Sequence, residues 1–257
     1  MLTYIPCPAG DKLLEAALEK NPSRSVQGLA CYGLAASLRD QAERIGNLDL
    51  AKSQKLEAEA EKLFDRAASQ YGDVKRGGTL QEETEKELYA LRNLAIGKTA
   101  PDIAGEDVLG KPLKLSDYRG KVVLVVFWAS WCGPCMADVP HERELVDRFQ
   151  GQPFAIVGVN GDGDRQAARE AMTKTSMTWR SFWSSEGSRG PIPNLWNVHS
   201  WPTLYLLDAH GVIRYKGNYL RRHLFEKDQD GQPRSVYVLD QAVDKLMREV
   251  NGQKSSH

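Results

Sequence analysis

Phe127-Trp-Ala-Ser-Trp-Cys132-Gly-Pro-Cys135 decides the reading of this chain. It continues a run that begins at Lys121, Val-Val-Leu-Val-Val-Phe, which is β-branched without alternation. That pattern suits a central strand buried on both faces. Met136–Phe149 reads as the following helix. The first cysteine therefore falls at a helix N-terminus, where free amides and the helix dipole favour an anion. Thiolate is the reacting form of cysteine, so Cys132 is the expected nucleophile, exposed and with a depressed pKa. Cys135, one helical turn on, is expected behind it, placed to attack a mixed disulfide. Pro134 at the start of a helix costs no hydrogen bond. Half a zinc site is the competing reading, but no second Cys/His pair has the spacing. Haem attachment would need a histidine after Cys135, where Met136 stands. The expectation is a site with no metal and no cofactor.

Outward from this motif, strands and helices alternate. Pro153–Asn160 reads as a second buried strand and Arg165–Lys174 as a helix. Thr203–Asp208 and Val212–Lys216 form a hairpin, and Val236–Val250 a closing amphipathic helix. The sum is an α/β sandwich. Upstream, Ala, Leu, Glu, Lys and Arg dominate, and all six tryptophans lie at or beyond Trp128. Four helices are predicted there, roughly 12–20, 25–45, 50–71 and 80–95, packed antiparallel through short loops. Ala60–Tyr71 resembles the second helix of a tetratricopeptide-type hairpin, without a repeating 34-residue period. The expected domains are a helical 1–96, tetratricopeptide-like or a plain bundle, and a redox domain 97–257. Gly97–Pro101 is expected to be the linker between them.

The 257 residues carry 41% hydrophobic and 26% charged side chains, with 34 basic balancing 34 acidic. Neither part is polybasic, so nucleic acid is not an expected partner. The longest apolar run is far short of the ~20 residues of a spanning helix. Met1–Pro8 lacks the basic start of a signal peptide.

The WCGPC motif at Trp131–Cys135 resembles that of the thioredoxin superfamily. Trp201-Pro202-Thr203 before a strand is similar to that family's cis-proline loop. Pro140 matches the kink of its catalytic helix, and Gly217 a glycine that leaves the substrate groove open. Ala100–Lys111 and Leu115–Lys121 look like the lead-in of TlpA/ResA-type thiol–disulfide oxidoreductases and their redoxin relatives. The resemblance spans residues 97–250. It implies a thioredoxin-like fold, here preceded by an all-α domain, and a dithiol that exchanges electrons with protein disulfides, most simply as a reductase. It implies Glu106 as the acid that relays protons to the thiols. Trp131, Gly133, Pro134, Trp201, Pro202 and Gly217 would contact substrate. Thioredoxins proper carry a buried Asp five residues before Trp131; Val126 stands there instead.

The implied partners are protein thiols and disulfides and an upstream reductant, with docking or oligomerisation through the helical domain. The implied compartment is the bacterial envelope or periplasm, with the cytoplasm as the alternative. Two other functions compete. One is a peroxiredoxin-like peroxidase, which wants Thr where Ala129 stands. The other is a binding module with a vestigial redox site, which the intact motif opposes.

Among the remaining features, Cys31 reads as a small buried hydrophobe and Cys7 as a free thiol. Glu226–Gly231 reads as a solvated loop and not a calcium site, since Tyr237 occupies the twelfth position. Gly161–Asp164 reads as a turn that caps the next helix at Asp164. His141 and His223 read as surface residues without partners.

Overall fold

The computed structural model describes residues 8–46, 48–184, 186–221, 223–227 and 233–254. Cys7 and residues 228–232 of the expected loop lie outside them. The chain divides into two compact units, one ending at Ala95 and one beginning at Ile96.

In the first unit four helices run α1 Pro8–Lys20, α2 Arg24–Ile45, α3 Leu50–Tyr71 and α4 Leu80–Asn93. Each packs on its neighbour in sequence, as short connections require. Helix α4 opens on a capping box: Thr79 accepts from the Glu82 amide, and Glu82 accepts from the Thr79 amide, so two orphan donors are satisfied reciprocally. Phe64, Ala67, Leu80 and Cys31 are fully buried at the centre of this unit. The Cys31 thiol donates to the Leu63 carbonyl at 3.3 Å, and burial pushes its pKa up.

The second unit is built on a five-stranded sheet in the order β5-β4-β3-β6-β7. Strands β3 Val122–Trp128, β4 Phe154–Asn160 and β5 Ser181–Trp183 are parallel. Strands β6 Thr203–Leu207 and β7 Ile213–Lys216 complete the sheet antiparallel. Helix α5 Gly133–Arg148 connects β3 to β4, α6 Arg165–Thr175 connects β4 to β5, and the short α7 Pro191–Leu195 precedes β6. Helix α8 Val238–Lys254 closes the unit. This is the thioredoxin-like arrangement. Every residue of β3 is buried, as expected of a central strand with helices on both sides.

Two hairpins were not visible in the pattern of the sequence: β1 Ala104–Glu106 with β2 Pro112–Lys114, and β8 His223–Lys227 with β9 Pro233–Tyr237. Asp107 anchors the first. It is 3% exposed and bonds the Leu109 and Lys111 amides and the Arg180 guanidinium.

The expected linker is a correction. Gly97 N–H donates to Ile213, Ile213 N–H to Lys98, and Ala100 N–H to Gly211. Residues 97–100 are thus strapped along β7, whose outer edge would otherwise offer unpaired backbone groups. No helix among the described residues is long and apolar enough to cross a membrane.

Candidate active site

Strand β3 delivers the chain to a turn closed by Cys132 N–H to the Ala129 carbonyl, 3.1 Å. Cys132 then caps α5 in extended conformation, and its sulfur accepts from the Cys135 amide at 3.2 Å. That amide and the helix dipole are positioned to hold a thiolate once the pair is reduced. Here the two cysteines form a disulfide, with Cα atoms 5.2 Å apart.

The expected exposure of Cys132 needs correcting. In the disulfide it is only 3% exposed, the same as Cys135. The bond to Cys135 and the amide contact turn its sulfur inward over the first turn of α5. Trp131, one residue earlier, is 58% exposed instead.

Thr203 pairs with Phe127 across β6 and β3, which sets Pro202 level with the end of the strand that feeds Cys132. The Trp201–Pro202 bond is cis. The Trp201 ring meets that of Trp131 edge-on, 5.9 Å between centroids. Gly217 has φ +86°, and its N–H donates to Leu204 at 2.8 Å. It is buried against the strand that Pro202 begins. A side chain with a Cβ would be strained at that φ. Gly133 and Pro134 form the exposed first turn of α5.

Glu106 stands on the exposed hairpin β1–β2. Its carboxylate pairs with Arg165 of α6 at 3.1 Å and is 58% exposed, so its partner in this structure is a guanidinium and not a cysteine.

A different acid lies on the catalytic helix itself. Asp138 sits one turn after Cys135. Arg221, in the 3₁₀ turn Asn218–Arg221, clamps it through Nε and Nη2, and Nη2 also reaches the Pro134 carbonyl at 3.4 Å. One turn further, Glu142 is 4% exposed. Burial, reinforced by the Asp138 charge and partly offset by Arg221, pushes its carboxyl up to about 8. Sequence reading missed all three. The only available signal was the i, i+4 spacing of Asp138 and Glu142 behind Cys135.

His141 also departs from the expected lone surface residue. Its ring stacks on Tyr237 at 3.9 Å and its Nε2 lies 2.9 Å from Asp240. The exposed His223 ring meets the same tyrosine at 3.8 Å. Asp164 caps α6 as expected, accepting from the Gln166 amide.

The profile of the AhpC/TSA family matches residues 96–216. Thiol-disulfide oxidoreductase ResA of Geobacillus kaustophilus (strain HTA426) is 31% identical over 121 residues, covering 47% of this chain and 68% of that protein. The chain belongs to the ResA-type thiol-disulfide oxidoreductases. Thioredoxin-like protein YneN of Bacillus subtilis (strain 168) is 29% identical over 145 residues, 55% of this chain and 84% of that one. A solved C-terminal domain from Bacteroides thetaiotaomicron, assigned to a thiol-disulfide oxidoreductase, shares the fold at a TM-score of 0.50. It is 21% identical, and the match covers 60% of this chain and 97% of that one. Like other ResA-type proteins, this is an oxidoreductase enzyme, and its chemistry is exchange between thiols and disulfides.

Proposed function

We propose that the protein works as a dithiol reductase of protein disulfides. The burial of the Cys132–Cys135 disulfide supports this direction. Exposed or strained disulfides are the oxidising, easily reduced ones, whereas a sheltered pair is the favoured product of electron donation. In the reduced protein, the Cys132 thiolate attacks one sulfur of a substrate disulfide. The substrate S–S bond breaks and the displaced thiolate takes a proton. Cys135 then gives up its proton and attacks the Cys132 sulfur. The second substrate thiol leaves, and two electrons have passed to the substrate. An upstream dithiol reductant restores the pair.

The proton of Cys135 needs an acceptor, and we assign this to Asp138 on geometry. It follows Cys135 by one turn on the same helix, where Arg221 holds it, whereas Glu106 stands on the β1–β2 hairpin, paired with Arg165. Trp131 and Trp201 supply the apolar rim for substrate. The backbone beside Pro202 is placed to pair with an extended peptide.

The first unit has its own buried core. We read it as a separately folding module for partner docking or self-association. A fragment beginning at Ile96 should then fold and reduce a generic disulfide. Action in the cell envelope is the setting that a dithiol donor of this family suits, since disulfides accumulate there.

The deciding experiment poises the protein in glutathione buffers and follows the oxidised fraction. A midpoint below about −200 mV, on the reducing side of glutathione-poised oxidising compartments, supports donation. A midpoint above it reverses the direction. Peroxide consumption faster than insulin reduction would point instead to a peroxidase.

A further inference from the structure

Behind the cysteine turn lies a buried carboxylate that the exchange chemistry does not use. Asp162 is 2% exposed. It follows β4 and accepts four hydrogen bonds. The Ser130 amide lies 2.9 Å from Oδ2 and 3.1 Å from Oδ1, and the Ser130 hydroxyl donates to Oδ1 at 2.6 Å. Asn160 Nδ2 donates to Oδ2 at 2.7 Å. The Asp162 amide in turn donates to Asn160 Oδ1 at 3.1 Å. No lysine or arginine among the described residues pairs with it. An ionised carboxylate so placed is expensive unless it is fully hydrogen-bonded, and here neutral donors alone meet it.

The contacts are directional. Asn160 uses its amide nitrogen toward the carboxylate and its oxygen toward the Asp162 amide. An asparagine at 162 could accept from Ser130, but its own NH2 would then face the NH2 of Asn160. Only a carboxylate accepts on both sides. Ser130 is the second of the two residues between β3 and Trp131, and Cys132 is two positions on. Fixing both its amide and its hydroxyl fixes the turn that presents the nucleophile.

The same loop reaches the other half of the site. At Gly161 a Cβ would come within 2.4 Å of Trp201 Cη2, so the backbone packs directly under the ring before Pro202. Its amide bonds Trp128 at 2.9 Å.

We propose that Asp162 is a positioning residue for Cys132, holding the cysteine turn through Ser130, and that its buried negative charge weighs against the thiolate and so favours the disulfide form of the pair. The proposal rests on exchange at Cys132 and not on the direction assigned above. The wild-type midpoint tests that direction; the difference between variants tests this proposal.

The test uses full-length Asp162→Asn and Ser130→Ala beside the wild type. A like charge near a thiolate disfavours it, so Asp162→Asn should lower the Cys132 titration midpoint. It should also move the equilibrium with glutathione toward the dithiol at least three-fold, or ~14 mV at ~30 mV per tenfold. Ser130→Ala keeps the charge and loses one bond. It should leave the potential in place and slow reduction of a generic disulfide. An Asp162→Asn protein with wild-type thiol titration and potential would overturn the proposal. A Ser130→Ala protein with a wild-type rate would also overturn the positioning role.

Discussion

Glu142 makes a quantitative demand on the stability of the redox unit. Its carboxyl titrates near 8 in the folded chain against an ordinary 4.5, because burial, with the neighbouring Asp138 charge, disfavours the anion. The folded state therefore binds a proton that the unfolded state releases between those values. Stability is fully retained below the unfolded pKa and is lost as pH rises through the window. It levels off above the folded pKa. At ~1.4 kcal/mol per pH unit, the penalty approaches about 3 kcal/mol at pH 7 and about 5 kcal/mol above pH 8. Glu142→Gln removes the titrating group and keeps its size, so the variant should gain on the wild type as pH rises. Urea unfolding followed by tryptophan fluorescence is the assay. All six tryptophans lie in the second unit, so the signal is blind to the helical one. The difference in unfolding free energy between variant and wild type should grow from pH 5 to pH 8. Parallel profiles over that range would refute the buried, largely neutral Glu142.

Other substitutions probe the surroundings of the site. Asp138→Asn should slow disulfide reduction and shift its pH profile, whereas Glu106→Gln should leave both near wild type; stopped-flow insulin reduction separates them. Gly161→Ala pushes a methyl into the Trp201 ring and should cost about 1–3 kcal/mol, read as a lower urea midpoint with slower exchange. Burial works to raise the Asp107 carboxyl, but the Lys111 amide, Arg180 and the Leu109 amide outweigh it and hold it below the usual range. Its contribution is present above that range and lost as pH falls through its folded pKa. Asp107→Asn should therefore flatten acid unfolding of the second unit below pH 4, as measured by fluorescence.

Strong local patterns were legible without coordinates. The seven-residue β3 and the helices α2 and α3 stand within a residue or so of where the sequence pattern puts them. The cysteine motif and the proline loop are contiguous strings, so they could be read as strings. Strands of three residues, such as β1, β2 and β5, carry no periodicity to detect. The hairpin β8–β9 hid behind charge that reads as solvated. What holds the site in place is long-range. Ser130 and Asp162 are 32 positions apart, and Asp138 and Arg221 are 83 apart. Neither pairing has a local signal. Glu142 was invisible for the opposite reason: an acid on a polar-looking helix is normally exposed, and only the packing of α5 shows that this one is not.

The division of labour between the two cysteines is the central claim, and trapping the intermediate tests it most directly. Full-length Cys135→Ser and Cys132→Ser proteins are each mixed with a disulfide-bonded peptide, quenched with acid and analysed intact by mass spectrometry. Cys135→Ser should accumulate a one-to-one mixed disulfide, mapped by digestion to Cys132, because no second thiol resolves it. Cys132→Ser should accumulate little. An adduct formed chiefly on Cys135 in the Cys132→Ser protein, with Cys135→Ser unreactive, would contradict the account.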